Sequence, residues 1–163
     1  MHTKIAIIGC SGAGKTTLAK KLSSLLNIPV YHLDQIHWQA GWQEENLDIV
    51  KQKHTEICTR KSWIIDGNQM STLAQRINYA DTIIFLDIPR KTCLSRIFLR
   101  WIQFHNKQRP DLTPGCFDRL NKKYLSYVWN FNKKFRPKII ELLSQAAQSK
   151  NIYIINNLKK LNF

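Results

Sequence analysis

The segment Gly9-Cys10-Ser11-Gly12-Ala13-Gly14-Lys15-Thr16 constrains this chain more than any other, because it fills every fixed position of the spacing GxxxxGK[ST]. An apolar run, Ile5-Ala6-Ile7-Ile8, leads into it, and helical spacing begins directly after it. Glycines let the backbone curl until successive N–H groups converge on one point, and a following helix aims its positive end there too. The stretch therefore reads as a phosphate cradle at the joint between a strand and a helix. By its spacing, Lys15 reaches the β- and γ-phosphates of a nucleoside triphosphate, and the Thr16 hydroxyl is a ligand for Mg²⁺. The expected cofactors are ATP and Mg²⁺, although the spacing does not separate ATP from GTP. The expected contacts are Gly9, Ser11, Gly12, Ala13, Gly14, Lys15, Thr16 and Thr17. Cys10 occupies a free position and reads as small loop filler.

Beyond the loop the hydrophobic period alternates. Short apolar runs at 4–8, 29–33, 63–66, 82–87 and 152–155 read as buried strands. Helical spacing fills 15–26, with Leu18, Leu22, Leu25 and Leu26 on one face and Asn27 as its stop. It returns over 44–60 (Leu47, Val50, His54, Ile57) and 90–105 (Leu94, Ile97, Phe98, Trp101, Ile102), and over 117–148 with a break at Pro137. Strands alternating with helices form βαβ units, so the expected class is α/β: a five-stranded parallel sheet between two helical layers. At 163 residues, without repeats or linkers, the chain reads as one domain, 1–163. Residues 105–118, with two prolines and a glycine, read as a mobile loop or lid. No apolar run approaches the roughly 18–20 residues that cross a bilayer, and the run Ile5–Ile8 does not read as a signal peptide. Cys10, Cys58, Cys93 and Cys116 stand far apart without a CxxC pair, as expected of reduced thiols in a cytoplasmic protein.

In an open parallel sheet, ligands bind beyond the carboxyl ends of the strands, and three aspartates end predicted strands here. Asp66 closes Trp63-Ile64-Ile65-Asp66, where it either serves Mg²⁺ or caps a turn. Asp34, just past the second strand, either orients or deprotonates an acceptor group or caps the next turn. Asp87 reads as the cap of the helix after it, and His37 as a surface or packed histidine. The net charge is +14, and residues 90–138 hold thirteen Lys/Arg against two acids, with nine of the seventeen aromatics. Such a segment either closes over a highly charged anion or touches nucleic acid or another acidic surface. Arg96 and Arg100, four apart on one helix, suit a clamp on a polyphosphate, while Arg109 and Arg119 flank the proline-rich loop and would swing in on closure. Lys107, Lys122, Lys123, Lys133 and Lys134 read as a solvated face. Trp101, Tyr124, Tyr127, Trp129 and Phe131 read as core or lid packing ahead of base stacking.

The phosphate loop, WIIDGN (63–68), TIIFLDIPRKTCLSRIFLR (82–100) and WNFNKKFRPKI (129–139), together with the RPD and PGC of the loop between them, resemble one family in particular. These are the adenylate-kinase-like P-loop proteins of the DNA topology modulation (FlaR-type) family, and the likeness covers nearly the whole chain. It implies a P-loop NTPase fold of the nucleoside-monophosphate-kinase type, three layers α/β/α, strand order 2-3-1-4-5, with an arginine-bearing lid at about 100–136. By it, Asp66 stands where adenylate kinases keep a Mg²⁺-associated aspartate, and Arg96 and Arg100 where they keep arginines that contact adenine and phosphate. Two departures concern the acceptor. After Asp66-Gly67 the chain reads Asn68-Gln69-Met70, without the arginine that grips the acceptor phosphate in Asp-Gly-Phe-Pro-Arg; Arg76 is a substitute at a different spacing. His32-Leu33-Asp34 also resembles the Asp-x-Asp of shikimate- and gluconate-type kinases with its first acid replaced by histidine.

Two functional expectations follow. In the first, an enzyme transfers phosphoryl from Mg-ATP to a small acceptor, a nucleotide or small hydroxy compound. Lys15, Arg96 and Arg100 neutralise charge, Thr16 and Asp66 serve Mg²⁺, and Asp34 orients the acceptor. In the second, a nucleotide-gated DNA-binding or DNA-topology-modulating module uses the basic segment. No tyrosine-nucleophile motif of a topoisomerase is recognisable. Oligomeric state is not legible.

Overall fold

Parallel strands buried on both faces demand near-continuous apolar runs, and the chain supplies five short ones. In the computed structural model of the chain, which describes residues 3–105 and 107–158, they form one sheet. The strands are β1 (Lys4–Gly9), β2 (Val30–His32), β3 (Trp63–Asp66), β4 (Thr82–Leu86) and β5 (Asn151–Ile155), in spatial order β2-β3-β1-β4-β5. That is the 2-3-1-4-5 order expected. The centre of the sheet is the driest part of the protein: Ala6, Ile7, Ile8, Ile64, Ile65, Ile83 and Phe85 are fully buried. Register pairs Ile7 with Asp66 and His32 with Asp66, so the carboxyl ends of β1, β2 and β3 finish together.

Helices α1 (Lys15–Leu26), α2 (Leu33–His37), α3 (Leu47–Thr59), α4 (Leu73–Tyr79), α5 (Arg90–Gln103), α6 (Lys122–Lys134) and α7 (Arg136–Ala146) complete the three-layer fold. α1 packs on β1, β2 and β3, α4 on β1, α5 on α6, and α7 on α4 and α6. α1 ends as expected at Asn27, whose left-handed φ of 54° turns its N–H onto the Ser23 carbonyl. Pro137 lies in the first turn of α7, where a missing N–H costs nothing, and the chain bends at Phe135 ahead of it. None of the described helices is long and apolar enough to cross a membrane.

Three readings of faces and caps need correction. Leu25 and Leu26 are exposed, because α1 buries only Leu18 and Ala19 fully and its last turn overhangs the sheet. On α5 the buried residues are Cys93 and Ile97, while Phe98, Leu99 and Ile102 face outward. Asp87 does not cap α5, whose N-cap is Pro89; its carboxylate instead receives the Arg136 fork, Nε at 2.9 and 3.0 Å and Nη2 at 2.9 Å. The short elements α2 and α4 escaped the periodicity reading. So did a hairpin of Trp38–Gln39 against Gln43–Glu44, joined through a tight 3₁₀ turn at Ala40–Trp42.

Candidate active site

The loop between β1 and α1 is held by close contact with α5. A Cβ on Gly12, at φ +78°, would stand 2.4 Å from the Cys93 carbonyl oxygen, so only glycine lets the helix sit that close. Gly14, at φ +101°, occupies the N-cap of α1 without a side-chain cap, which leaves the first amides of the helix turned toward the cleft. Lys15 folds over the loop and its Nζ donates to the Cys10 carbonyl at 2.9 Å. Arg96 reaches in from α5, its Nη1 donating to the Ala13 carbonyl at 3.2 Å. Cys10 is buried, as a small filler would be, and its contact with Cys93 and its burial push its thiol pKa up.

A cleft of about 1030 Å³ opens over these groups and runs on to the ends of β2 and β3. It is lined by Ser11, Gly12, Gly14, Lys15, Thr16, Thr17 and Arg96 of the loop, α1 and α5, and by His32, Asp34, Asp66, Asn68, Gln69 and Trp38. Gly9 and Ala13 lie beneath the loop, and Ala13 is fully buried. Asp66 is 3% exposed, and its Oδ1 lies 2.6 Å from Nδ1 of His32. Burial alone would lower the His32 pKa, but the hydrogen bond and charge of Asp66, with Asp111 behind, raise it. Asp34 forms no cap hydrogen bond on α2; its side chain is exposed into the cleft, with the cleft walls shielding it from bulk water. That desolvation comes first in raising its pKa, Lys15 opposing and Asp66 reinforcing. A carboxyl so shifted holds a proton more readily than an ordinary aspartate, which suits exchange with an acceptor hydroxyl.

The donor set fits Mg²⁺. A hydroxyl (Thr16) and a carboxylate (Asp66) are hard oxygen donors on one cleft, and Mg²⁺ in phosphate sites takes one or two protein oxygens beside phosphate and water. No group of three or more His, Cys, Asp or Glu residues among the described residues could hold a metal without phosphate.

The basic segment behaves differently from its charge count. Arg100 is not a free clamp: its Nε donates to Asp118 Oδ2 at 2.8 Å and its Nη2 to Asp118 Oδ1 at 3.3 Å and to the Tyr124 hydroxyl at 3.2 Å. Arg109, which is buried where Arg100 is only half-buried, shares Asp118 through Nη1 at 3.0 Å and grips Asp111 with the rest of its fork. The only two acids of the segment thus both bind arginines within it. The proline-rich loop is docked on the α2 side: Thr113 Oγ1 donates to the Trp38 carbonyl at 2.6 Å, Trp42 Nε1 to the Phe117 carbonyl at 2.9 Å, and Gly41 N to the Gly115 carbonyl at 3.2 Å. Arg119 lies over Trp42, 4.1 Å from the ring centre, and 5.4 Å from that of Trp38.

Arg76 does not replace the missing acceptor arginine. It is fully buried, donates Nη2 to the Gly67 carbonyl at 3.3 Å, and leaves Nε and Nη1 unpartnered. Burial lowers its pKa to about 10 against the opposing charges of Cys58 and Asp66. It props the Asp66–Gly67 turn from beneath. Residues that sequence reasoning passed over are Trp38 and Trp42, Lys20, Asn68 and Gln69; a pair of tryptophans four apart around Gly41 was the one local signal. His37 is packed, as expected, 4.8 Å from the Trp38 ring and 2.8 Å from Gln69 Nε2.

The fold has counterparts among known proteins. The shikimate kinase from Acinetobacter baumannii, solved in complex with shikimate, is similar at TM-score 0.58 and 20% identity over 95% of this chain and 84% of that one. The shikimate kinase from Bacteroides thetaiotaomicron gives 0.55 and 20% over 94% and 85%. The deoxyadenosine kinase from M. mycoides, with dCMP and dCDP bound, gives 0.54 and 16% over 97% and 94%. At these identities the likeness establishes the fold. A search of curated proteins returns no matching sequence. Residues 5–101, more than half of the chain, match the AAA domain family and contain the phosphate loop, β3 with Asp66, and α5 through Arg100. The chain therefore belongs to the AAA domain family and carries the α/β fold of P-loop kinases.

Proposed function

We propose that this chain is a P-loop kinase that transfers a phosphoryl group from Mg-ATP to a small acceptor, a nucleotide or small hydroxy compound. One observation carries the reading: a single cleft of about 1030 Å³ is lined by the phosphate loop and by Asp34 and Asp66 together. The chain's own groups divide the work. The Gly12–Thr17 backbone and the start of α1 bind phosphate oxygens; Lys15 and Arg96 neutralise their charge, and Arg100 adds to the field from its seat on Asp118. Thr16 and Asp66 would hold Mg²⁺, which when bound draws charge from the transferred phosphoryl group. Asp34 orients the acceptor hydroxyl and takes its proton. Residues 100–136 serve as the lid of a single unit spanning 1–163. The likeness of the loop, WIIDGN and WNF segments supports membership of the FlaR-type family, and four buried free thiols suit a cytoplasmic setting.

A second reading, a nucleotide-gated DNA-binding module, is favoured by Lys91, Lys122, Lys123, Lys133 and Lys134, which are exposed. ADP release from Mg-ATP separates the two. The acceptors are nucleoside monophosphates, shikimate, gluconate and supercoiled DNA, with Lys15→Ala as control. Stimulation by one small molecule, abolished in the variant, upholds the kinase. Stimulation by DNA alone, fading with salt, replaces it with the module.

A further inference from the structure

Among the arginines lining the cleft, Arg96 donates to a loop carbonyl, and Arg100 and Arg109 are committed to Asp118 and Asp111. Arg119 alone among them has no hydrogen-bond or ion-pair partner among the described residues. It lines the cleft beside Trp38 and Trp42. A guanidinium lying on an indole keeps its orientation while its N–H edge stays available, and that edge is a planar fork matched to two oxygens of a carboxylate or phosphate.

The support under it is built to be rigid. Trp38 and Trp42 meet edge to face at 5.5 Å, and Trp42 is anchored by its Nε1 bond to Phe117. Trp42 also holds φ at +63°, which a bulky residue rarely adopts and which persists only where surroundings enforce it. Strain of this kind in a cleft wall points to positioning.

We propose that Arg119, laid on Trp42 and Trp38, is a binding residue for an oxyanion carried by the acceptor, a carboxylate or a phosphate. The proposal rests on the kinase reading for the word acceptor only. It supplies from the lid the cation that is missing after Asp66-Gly67.

The test is calorimetric binding to the full chain saturated with Mg²⁺ and a non-hydrolysable ATP analogue. The probes are matched pairs, adenosine 5′-monophosphate against adenosine and gluconate against glucose. The wild type prefers the charged member of one pair by roughly 10- to 100-fold, as a charge-assisted fork requires, and the pair concerned tells phosphate from carboxylate. Arg119→Ala removes the preference, and Arg119→Lys, which keeps the charge without the fork, restores part of it and stays readable should the alanine variant not fold. Arg90→Ala is the matched control, because Arg90 lies 4.1 Å over Trp129 in the same manner but outside the cleft; it leaves the preference intact. No preference in the wild type, no binding of either charged probe, or a preference kept in Arg119→Ala overturns the proposal. Product formation, measured separately, reports on the kinase reading. Charged-probe binding through Arg119 without turnover upholds the subsite and counts against the kinase; turnover of a neutral probe alone does the reverse.

Discussion

Replacing Asp118 with asparagine removes one carboxylate that two arginines share, and the structure sets the size of the loss. The Asp118 side chain is 5% exposed, that of Arg109 9% and that of Arg100 24%, so two ion pairs lose their anion with little water at hand. Taking one partner from a buried pair costs about 3–5 kcal/mol. Arg109 keeps Asp111, and Arg100 keeps the Tyr124 hydroxyl, which places the cost near the lower end, about 3 kcal/mol. For a chain of this size that is a fall in Tm of roughly 6–12 °C, read by differential scanning calorimetry. The damage is local to the lid, so trypsin should cut at Lys107 and Lys122 well before global unfolding. A cycle of Asp118→Asn with Arg100→Met should show a coupling of at least about 1 kcal/mol. The network also resists mild acid. Burial would raise the Asp111 pKa, but the Arg109 charge and hydrogen bond hold it lower than usual. Its share of stability is therefore full above its unfolded pKa and fades only as pH falls through the lowered folded value. A loss below about 1 kcal/mol, additive with Arg100→Met, would refute the idea that Asp118 is the anchor of the lid.

Gly12→Ala should cost about 2–5 kcal/mol, combining a left-handed φ with a Cβ 2.4 Å from the Cys93 carbonyl; chemical denaturation measures it, and a loss under 1 kcal/mol would show that α5 yields freely. His54, fully buried, has its pKa lowered to about 4, by burial first and the Arg76 charge second. The unfolded chain takes up that proton from about pH 6.5 downward while the fold does not until about 4, so stability drops as pH falls across that window, by roughly 3 kcal/mol. His54→Gln should flatten that acid limb, and an unchanged slope between pH 7 and 4 would assign it to other groups.

What was legible in the sequence is what neighbours along the chain decide. The phosphate loop could be read because strand, turn and helix are contiguous, and the strands because burial on both faces leaves unbroken apolar runs. The short α2 and α4 have too few turns to show a period, and the outward Phe98, Leu99 and Ile102 defeat the rule that apolar positions face the core. Side-chain partners are a different matter. The segment around the lid was counted as a strong positive excess, yet its two acids sit where three of its guanidinium contacts converge, and Arg100 meets Asp118 across eighteen residues of chain. Composition cannot tell a clamp aimed at a ligand from a clamp already closed on its own carboxylate. The same limit hid the acceptor end: Arg119 and Trp42 are far apart in the chain, and nothing short of the docked loop brings them together. Under the proposed function, recognition of the nucleotide is written locally in the loop, whereas recognition of the acceptor would be assembled from the hairpin after α2 and the loop before α6. A site divided in that way lets one local motif keep the phosphate chemistry constant while distant segments set the acceptor.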